Sequence, residues 1–249
     1  VAHYNYFFNG HEELDELLAK SRSLFQDDYT QLLSFYDYDL NDIAKSSIDS
    51  IIYRANANIV LHDLRNNWVD DAYLLMAKAY LFHKNFDTAG SILQFINYSF
   101  DEKENGADLP IGSNLRNTKG KFSIATAETN RIWENENVRN ESMIWQARNY
   151  FEKEEYNEGI SLLQLLEADA IFPKRLYPFL NEQFAYGYYL MEMYDKSAAA
   201  LEKGINNAPD EAAKTRWYYL LGQLWQKADR WDKAYPWYKK ANQNAVNPI

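Results

Sequence analysis

The sequence predicts an all-α chain: a right-handed solenoid of stacked helix pairs, preceded by atypical N-terminal helices and interrupted by a long insertion. Three observations predict it. First, the stretch from Val69 to Phe100 reads as two helices around a tight turn at His83–Phe86. Tyr73, Met76, Ala77 and Tyr80 share one face of the first helix, and Ala89, Leu93 and Ile96 share one face of the second. These are helical spacings, so each helix has an apolar stripe to bury. Second, small residues recur twelve apart, at Ala77/Ala89, Ala147/Gly159, Ala185/Ser197 and Gly222/Ala234. Small residues at that spacing let two antiparallel helices approach closely. Third, a large aromatic follows each first small position by three residues, at Tyr80, Tyr150, Tyr188 and Trp225.

The aromatics that open each second helix, Phe86, Tyr156, Tyr194 and Trp231, lie 70, 38 and 37 residues apart. Helix pairs repeating at roughly 34 residues are the tetratricopeptide (TPR) period, and the first interval is about two periods. The fold class is therefore a TPR-like solenoid, and something extra separates its first two regular pairs. An irregular helical bundle would not phase a small pair and an aromatic four times.

Taken in order, residues 1–67 form an atypical N-terminal repeat. Ala2 to Phe25 reads as one helix, or two broken near Asn9-Gly10, with Leu14, Leu17, Leu18 and Leu24 as its stripe. Thr30 to Tyr38 reads as a short helical or turn segment. Asn41 to Leu64 reads as a long helix burying Ile43, Ile48, Ile51, Ile52, Ile59 and Val60. Both helices are expected to pack outside the first regular pair, residues 68–100. Asp70 and Asp71 stand in that pair's first turn, where the helix dipole favours carboxylates.

Residues 101–139 form the insertion. They carry Gly106, Pro110, Gly112 and Gly120 and no long helical period, and 121–126 reads as a short extended piece. Structureless insertions of that length are usually functional or disordered, so this one is expected to contribute to binding. Residues 140–249 hold three further pairs: Glu141–Leu166, Phe179–Asn206 after a Pro-started helix at Pro178, and Asp210–Ala241. No polar capping helix follows the fourth pair, which suggests a longer array or another cover for its end.

Composition narrows function. The net charge of −10 and the absence of any basic cluster argue against a nucleic-acid binder, which needs Lys and Arg to neutralise phosphates. With no cysteines there are no disulfides, thiol nucleophiles or thiolate metal sites. No apolar run reaches the ~20 residues that span a bilayer. Asp37-x-Asp39-x-Asn41 begins like a calcium loop, but position six is Asp42 and position twelve is Ile48, so it reads as a solvated turn. The four histidines, His3, His11, His62 and His83, have no ligand spacing. No nucleophile elbow, P-loop or dinucleotide fingerprint is present. The expectation is a non-enzymatic chain with no catalytic, cofactor-binding or metal-ligating residues.

The expected ligand is a protein segment in the groove lined by the first helix of each pair. Counting five and nine residues into each repeat gives the groove candidates Leu74 and Lys78, Ile144 and Arg148, Glu182 and Tyr186, and Tyr219 and Gln223. The Lys/Asn/Arg clamp that holds a peptide's terminal carboxylate in chaperone-binding TPRs is missing from this set.

Several stretches carry a more specific resemblance. They are Tyr4 to Leu14, Asp27-Asp28-Tyr29, Trp68 to Tyr73, Phe122 to Ala125, Asn140 to Ala147, and Phe172 to Leu176. Over these, and over most of the chain including the insertion, the sequence resembles the PorW/SprE-type TPR lipoproteins of the Bacteroidota type IX secretion and gliding machinery. The resemblance implies a lipoprotein on the periplasmic face of the outer membrane, scaffolding the translocon to the ring and motor components. It implies no cofactor, and membrane attachment only through an N-terminal lipid. The acylated cysteine is not in this chain. Two alternatives follow from other classes: a SusD-like glycan- or nutrient-binding envelope lipoprotein using exposed Tyr and Trp, and a cell-wall enzyme using Asp70 and Asp71.

Overall fold

The computed structural model describes residues 2–40, 44–61, 68–99, 116–118, 121–127 and 137–245. Contacts group the chain into two compact units. The first comprises residues 1–23 and 39–173, and the second residues 24–38 and 174–249.

In the first unit, α1 (Ala2–Leu24) is one continuous helix, so the alternative of a break at Asn9-Gly10 is not adopted. Gly10 serves close approach instead: a Cβ there would sit 3.1 Å from Leu75 Cδ2. Leu14 is buried, but Leu24 is 71% exposed and leaves the expected stripe. Helix α2 (Lys45–Leu61) lies within the predicted span Asn41 to Leu64, whose ends at 41–43 and 62–64 lie outside the described residues, and it packs on α3 (Val69–Phe82). It buries Ile48 and Ile51 but exposes Val60 to 73%, because Val60 falls off the α3-facing side. Asn41 and Ile43 lie outside the described residues.

Helices α3, α4 (Phe86–Ser99), α5 (Arg139–Glu152) and α6 (Tyr156–Ala168) each pack on the next. Leu74, Ala77, Leu93, Ile96 and Val138 form one of the unit's core clusters. Of the insertion, residues 116–118, 121–127 and 137–139 are described, and 101–115, 119–120 and 128–136 are not. Strands β1 (Arg116–Thr118) and β2 (Lys121–Ser123) pair antiparallel, with Arg116 opposite Ser123.

The second unit contains α7 (Tyr177–Leu190), α8 (Tyr194–Gly204), α9 (Glu211–Lys227) and α10 (Trp231–Asn244), again packed in sequence. Pro178 stands at the start of α7, where its missing N–H costs nothing. Asp210 caps α9 by accepting Ala213 N–H at 2.8 Å. Segment 25–38 contains no helix.

The four pairs are joined by one motif used four times. Lys84, Glu154, Glu192 and Asp229 have φ of 61°, 63°, 57° and 57°. The next residue's N–H reaches back to the carbonyl of the phased aromatic: Asn85 to Tyr80, Glu155 to Tyr150, Met193 to Tyr188, and Arg230 to Trp225, at 2.8–2.9 Å. Each left-handed residue's own N–H bonds the carbonyl three before it, as Lys84 does to Leu81 at 2.9 Å. This is the Schellman helix ending, here made without glycine.

The small pairs sit at the helix crossings. Ala77, Ala89, Ala147, Ala185, Ser197 and Ala234 are fully buried. Ser197 Oγ donates to the Ala185 carbonyl at 2.8 Å. A Cβ on Gly159 would come within 2.3 Å of the Phe151 ring, and one on Gly222 within 2.6 Å of Tyr238. These are contacts no side chain tolerates without movement, which is why the position stays small.

Candidate functional site

The groove candidates divide between the units, four in each. In the first unit, Leu74 and Lys78 on α3 line a cavity of about 470 Å³ with Phe8, Glu12 and Asp15 of α1 and Glu141 of α5. Lys78 Nζ stands 2.8 Å from Glu141 Oε1 and 5.1 Å from the Trp145 ring centre. Trp145 Nε1–H also donates to that carboxylate oxygen at 3.2 Å. Ile144 is fully buried, and Arg148 is 6% exposed and paired with Glu152 at 2.7 Å. The structure therefore brings Leu74 and Lys78 to one cavity and places Ile144 and Arg148 in the interior.

In the second unit all four candidates meet the chain's own segment 24–38. Gln223 bridges two of its main-chain groups: Nε2–H donates to the Gln31 carbonyl at 2.6 Å, and Oε1 accepts from Leu33 N–H at 3.0 Å. Tyr219 donates to the Tyr29 carbonyl at 3.3 Å and meets the Tyr29 ring edge-on at 5.1 Å. Glu182 accepts from the Tyr36 hydroxyl at 2.7 Å. Tyr186 packs against the rings of Phe35 and Tyr36 at 5.3 and 5.1 Å.

Neighbouring side chains that the residue count did not reach complete the contact. Tyr189 donates to the Leu33 carbonyl at 2.9 Å. Arg216 makes a two-pronged pair with Asp27 (2.7 and 2.8 Å) and donates to the Ser34 and Phe35 carbonyls at 2.8 and 3.2 Å. Gln183 Nε2–H donates to the Tyr36 hydroxyl at 2.9 Å. These residues extend the same stripes: Glu182, Tyr186 and Tyr189 run i, i+4, i+7 on α7, and Arg216, Tyr219 and Gln223 run i, i+3, i+7 on α9. Continuing each predicted stripe by one turn finds Tyr189 and Arg216 from sequence.

The physical logic is main-chain satisfaction. A buried carbonyl or N–H with no partner costs about as much as a lost hydrogen bond. Segment 29–35 makes no ladder, so the helices supply partners from side chains. Two of its own side chains anchor it: Leu33 and Phe35 are each 2% exposed. Phe35 sits among Tyr186, Tyr189 and Trp217, with ring centres 5.3–6.2 Å away. Burial raises the Tyr29 and Tyr189 phenols above their ordinary range, for Tyr29 with help from the Asp27 charge. The Tyr189 phenol therefore stays protonated as the donor to the Leu33 carbonyl. Tyr238, half-buried beside Tyr219, is pushed up to about 12, chiefly by loss of solvent and then by the Tyr219 charge.

The first unit holds a second non-helical segment by the same means. Asp169 accepts from Ser123 Oγ (2.6 Å), Ile124 N–H (2.8 Å) and Ala125 N–H (3.0 Å). Burial pushes its carboxyl up, but these bonds and one from Ile171 outweigh that and hold it below the ordinary range. Asn140 pairs with both main-chain groups of Thr126, at 2.9 and 2.8 Å. Arg139, 1% exposed, donates to the carbonyls of Asn97 and Ile124 and to Thr126 Oγ1. Asp70, the buried carboxylate of α3, accepts from Val138 N–H at 3.3 Å, and burial raises its pKa. Among the described residues no group of three or more His, Asp or Glu side chains is placed to hold a metal ion, and no helix is long and apolar enough to cross a membrane.

No family model matches the chain. No curated protein matches it in sequence. Solved structures do match. A protein of nearly identical TPR-like repeats from Podosopora anserina, described as a kinesin light chain, superposes with a TM-score of 0.50 at 13% identity, over 81% of this chain and 89% of that one. BtubC from P. vanneervenii gives 0.47 at 14% identity, over 83% and 76%. MamA of AMB-1 gives 0.45 at 12% identity, over 82% and 96%. The chain is an all-α protein of the TPR-like repeat fold. At these identities the likeness extends to the fold alone.

Proposed function

We propose that this chain is a non-enzymatic scaffold that binds other proteins through the inner faces of its helix pairs. One observation carries the reading. The α7/α9 face already holds a peptide segment by its main-chain groups, with Gln223, Tyr189, Arg216 and Tyr219 as the reading side chains. A surface that grips main-chain atoms and two apolar anchors is built for polypeptide.

The finer proposal is a lipoprotein at the periplasmic face of the outer membrane, working in a type IX secretion apparatus between translocon and ring or motor components. Its support is the set of sequence stretches given above. The test is crosslinking in cells through a photoreactive residue at position 78, which lines the first-unit cavity, and at exposed Ala127. Partners are identified by mass. Recovery of secretion-apparatus proteins is expected. Recovery of envelope proteins unrelated to secretion would overturn the type IX assignment and leave the scaffold role. Recovery of no protein would overturn both. Exposed Trp231 (60%) and Tyr235 (71%), one turn apart on α10, favour glycan binding as a second reading. Saturable binding on a glycan array, lost in Trp231→Ala, would select it.

A further inference from the structure

We propose that the α7/α9 face is a site for a non-helical segment of a partner protein, and that segment 24–38 is its resident, displaceable occupant. The ligand class is set by what the occupant shows: a carboxylate, then an aliphatic residue six positions on, then an aromatic two further. In this chain those are Asp27, Leu33 and Phe35. The inference rests on the protein-scaffold reading and names the chemistry of its ligand.

Three features separate this segment from ordinary core. First, the face reads mostly main-chain atoms. The carbonyls of Tyr29, Gln31, Leu33, Ser34 and Phe35, and the N–H of Leu33, all go to α7 or α9 side chains. Such contacts accept any sequence that brings the anchors, as in other peptide-binding grooves. Second, seven of the segment's side chains face outward, while Phe25, Leu32, Tyr36, Asp37 and Tyr38 are half-buried. Leu24, Gln26, Asp28, Tyr29, Thr30, Gln31 and Ser34 are exposed, with Leu24 at 71%. Third, the base of the loop is closed without the groove. Ser21 Oγ donates to the Asp39 carbonyl at 3.0 Å and accepts from Asp39 N–H at 3.1 Å, both within the first unit. Release from α7/α9 leaves that closure intact.

Arg216 sets the polarity of the ligand. Its two-pronged contact with Asp27 is shielded, the side chains being 8% and 12% exposed. Planar paired hydrogen bonding of this kind selects a carboxylate over a neutral group. The carbonyls of Ser34 and Phe35 take two of the same guanidinium's three remaining N–H donors, which fixes the distance between the acid and the aromatic. A tethered occupant competes at the high effective concentration of an intramolecular ligand. An external ligand then binds with an apparent affinity reduced by the fraction of molecules whose groove is empty.

The test uses the full chain and a fluorescent synthetic peptide of residues 24–38. Anisotropy is measured against wild type and against the double variant D27A/F35A, which weakens the resident segment. About tenfold or greater tightening in the variant is expected. Equal affinity for both chains, or binding to neither, overturns the proposal. A second measurement needs no variant: excess peptide added to wild type should speed amide exchange at Leu33, whose N–H is held by Gln223. Unchanged exchange at saturating peptide makes the segment a fixed part of the fold and overturns displacement. Peptide failure with continued crosslinking at positions 78 and 127 would defeat this inference while leaving the scaffold reading standing.

Discussion

The inner faces of the two units carry equivalent positions and finish them differently. In the first, Leu74 and Lys78 border an open cavity, and Lys78 spends its charge on Glu141. In the second, Glu182, Tyr186, Tyr219 and Gln223 are occupied by the chain's own residues 29–36. The difference teaches that repeat phase fixes which side chains point inward, not whether that surface is available. Availability depends on a segment, residues 25–38, that forms no helix.

The largest way to break this contrast is to remove the anchor. Phe35→Ala should destabilise the second unit by about 3–5 kcal/mol, the usual range for a large buried aromatic. Urea unfolding followed through α7 and α9 amide exchange should show the loss there, with α3 and α4 amides unchanged. A loss below about 1 kcal/mol would mean that the segment is not packed as described.

Smaller changes sharpen the contrast through charge. Arg216→Ala removes shielded bonds to Asp27 and to two carbonyls and should cost roughly 1.5–3 kcal/mol, the range for hydrogen bonds to charged groups. Lys78→Met removes a pair whose partners are 17% and 30% exposed, and should cost less than about 1 kcal/mol. Parallel denaturant titrations check the ratio. Equal costs would mean that both faces are equally committed, against the difference drawn here.

Much of the fold was legible because its determinants are local. Twelve-residue spacings of small residues and a phased aromatic suffice to place four helix pairs, and the turns fall where Phe86, Tyr156, Tyr194 and Trp231 predict. Segment 24–38 was not legible. Leu33 and Phe35 alternate as in a strand while Leu33 and Tyr36 are a helical turn apart, so their spacing decides nothing, and their partners lie more than 140 residues away in sequence. Ile144, counted as a groove residue from its place in the repeat, is fully buried on α5. The short extended piece at 121–126 is strand over its first three residues, Lys121-Phe122-Ser123.

Acid–base behaviour offers a test confined to the first unit. Burial raises the Asp70 carboxyl, so its folded pKa lies above its unfolded value. The group's contribution is then fully present below the unfolded value, about 3.9, and is lost as pH rises through the folded value. Asp70→Asn does not titrate and keeps an acceptor for Val138 N–H. The stability of the variant relative to wild type should therefore climb with pH across that window and level off above it. Unfolding free energies between pH 4 and 8 check this. A flat difference would show that Asp70 is as well solvated folded as unfolded.

The turns test where the contrast should vanish. Lys84 and Glu154 lie in the first unit, Glu192 and Asp229 in the second, and all four hold the left-handed conformation. That conformation crowds Cβ against the backbone, a cost of about 1 kcal/mol or more that glycine does not bear. Glycine also loses more freedom on folding, so the net gain from substitution is smaller, up to about 1 kcal/mol. Lys84→Gly and Glu192→Gly should each raise stability by similar amounts, read as parallel shifts in the urea midpoint. The Schellman bonds from Asn85 and Met193 are main-chain and survive both changes. A gain in one unit with a loss in the other would mean that Lys84 or Glu192 serves its unit through its side chain. In that case the repeat itself, and not only its groove, would differ between the two halves.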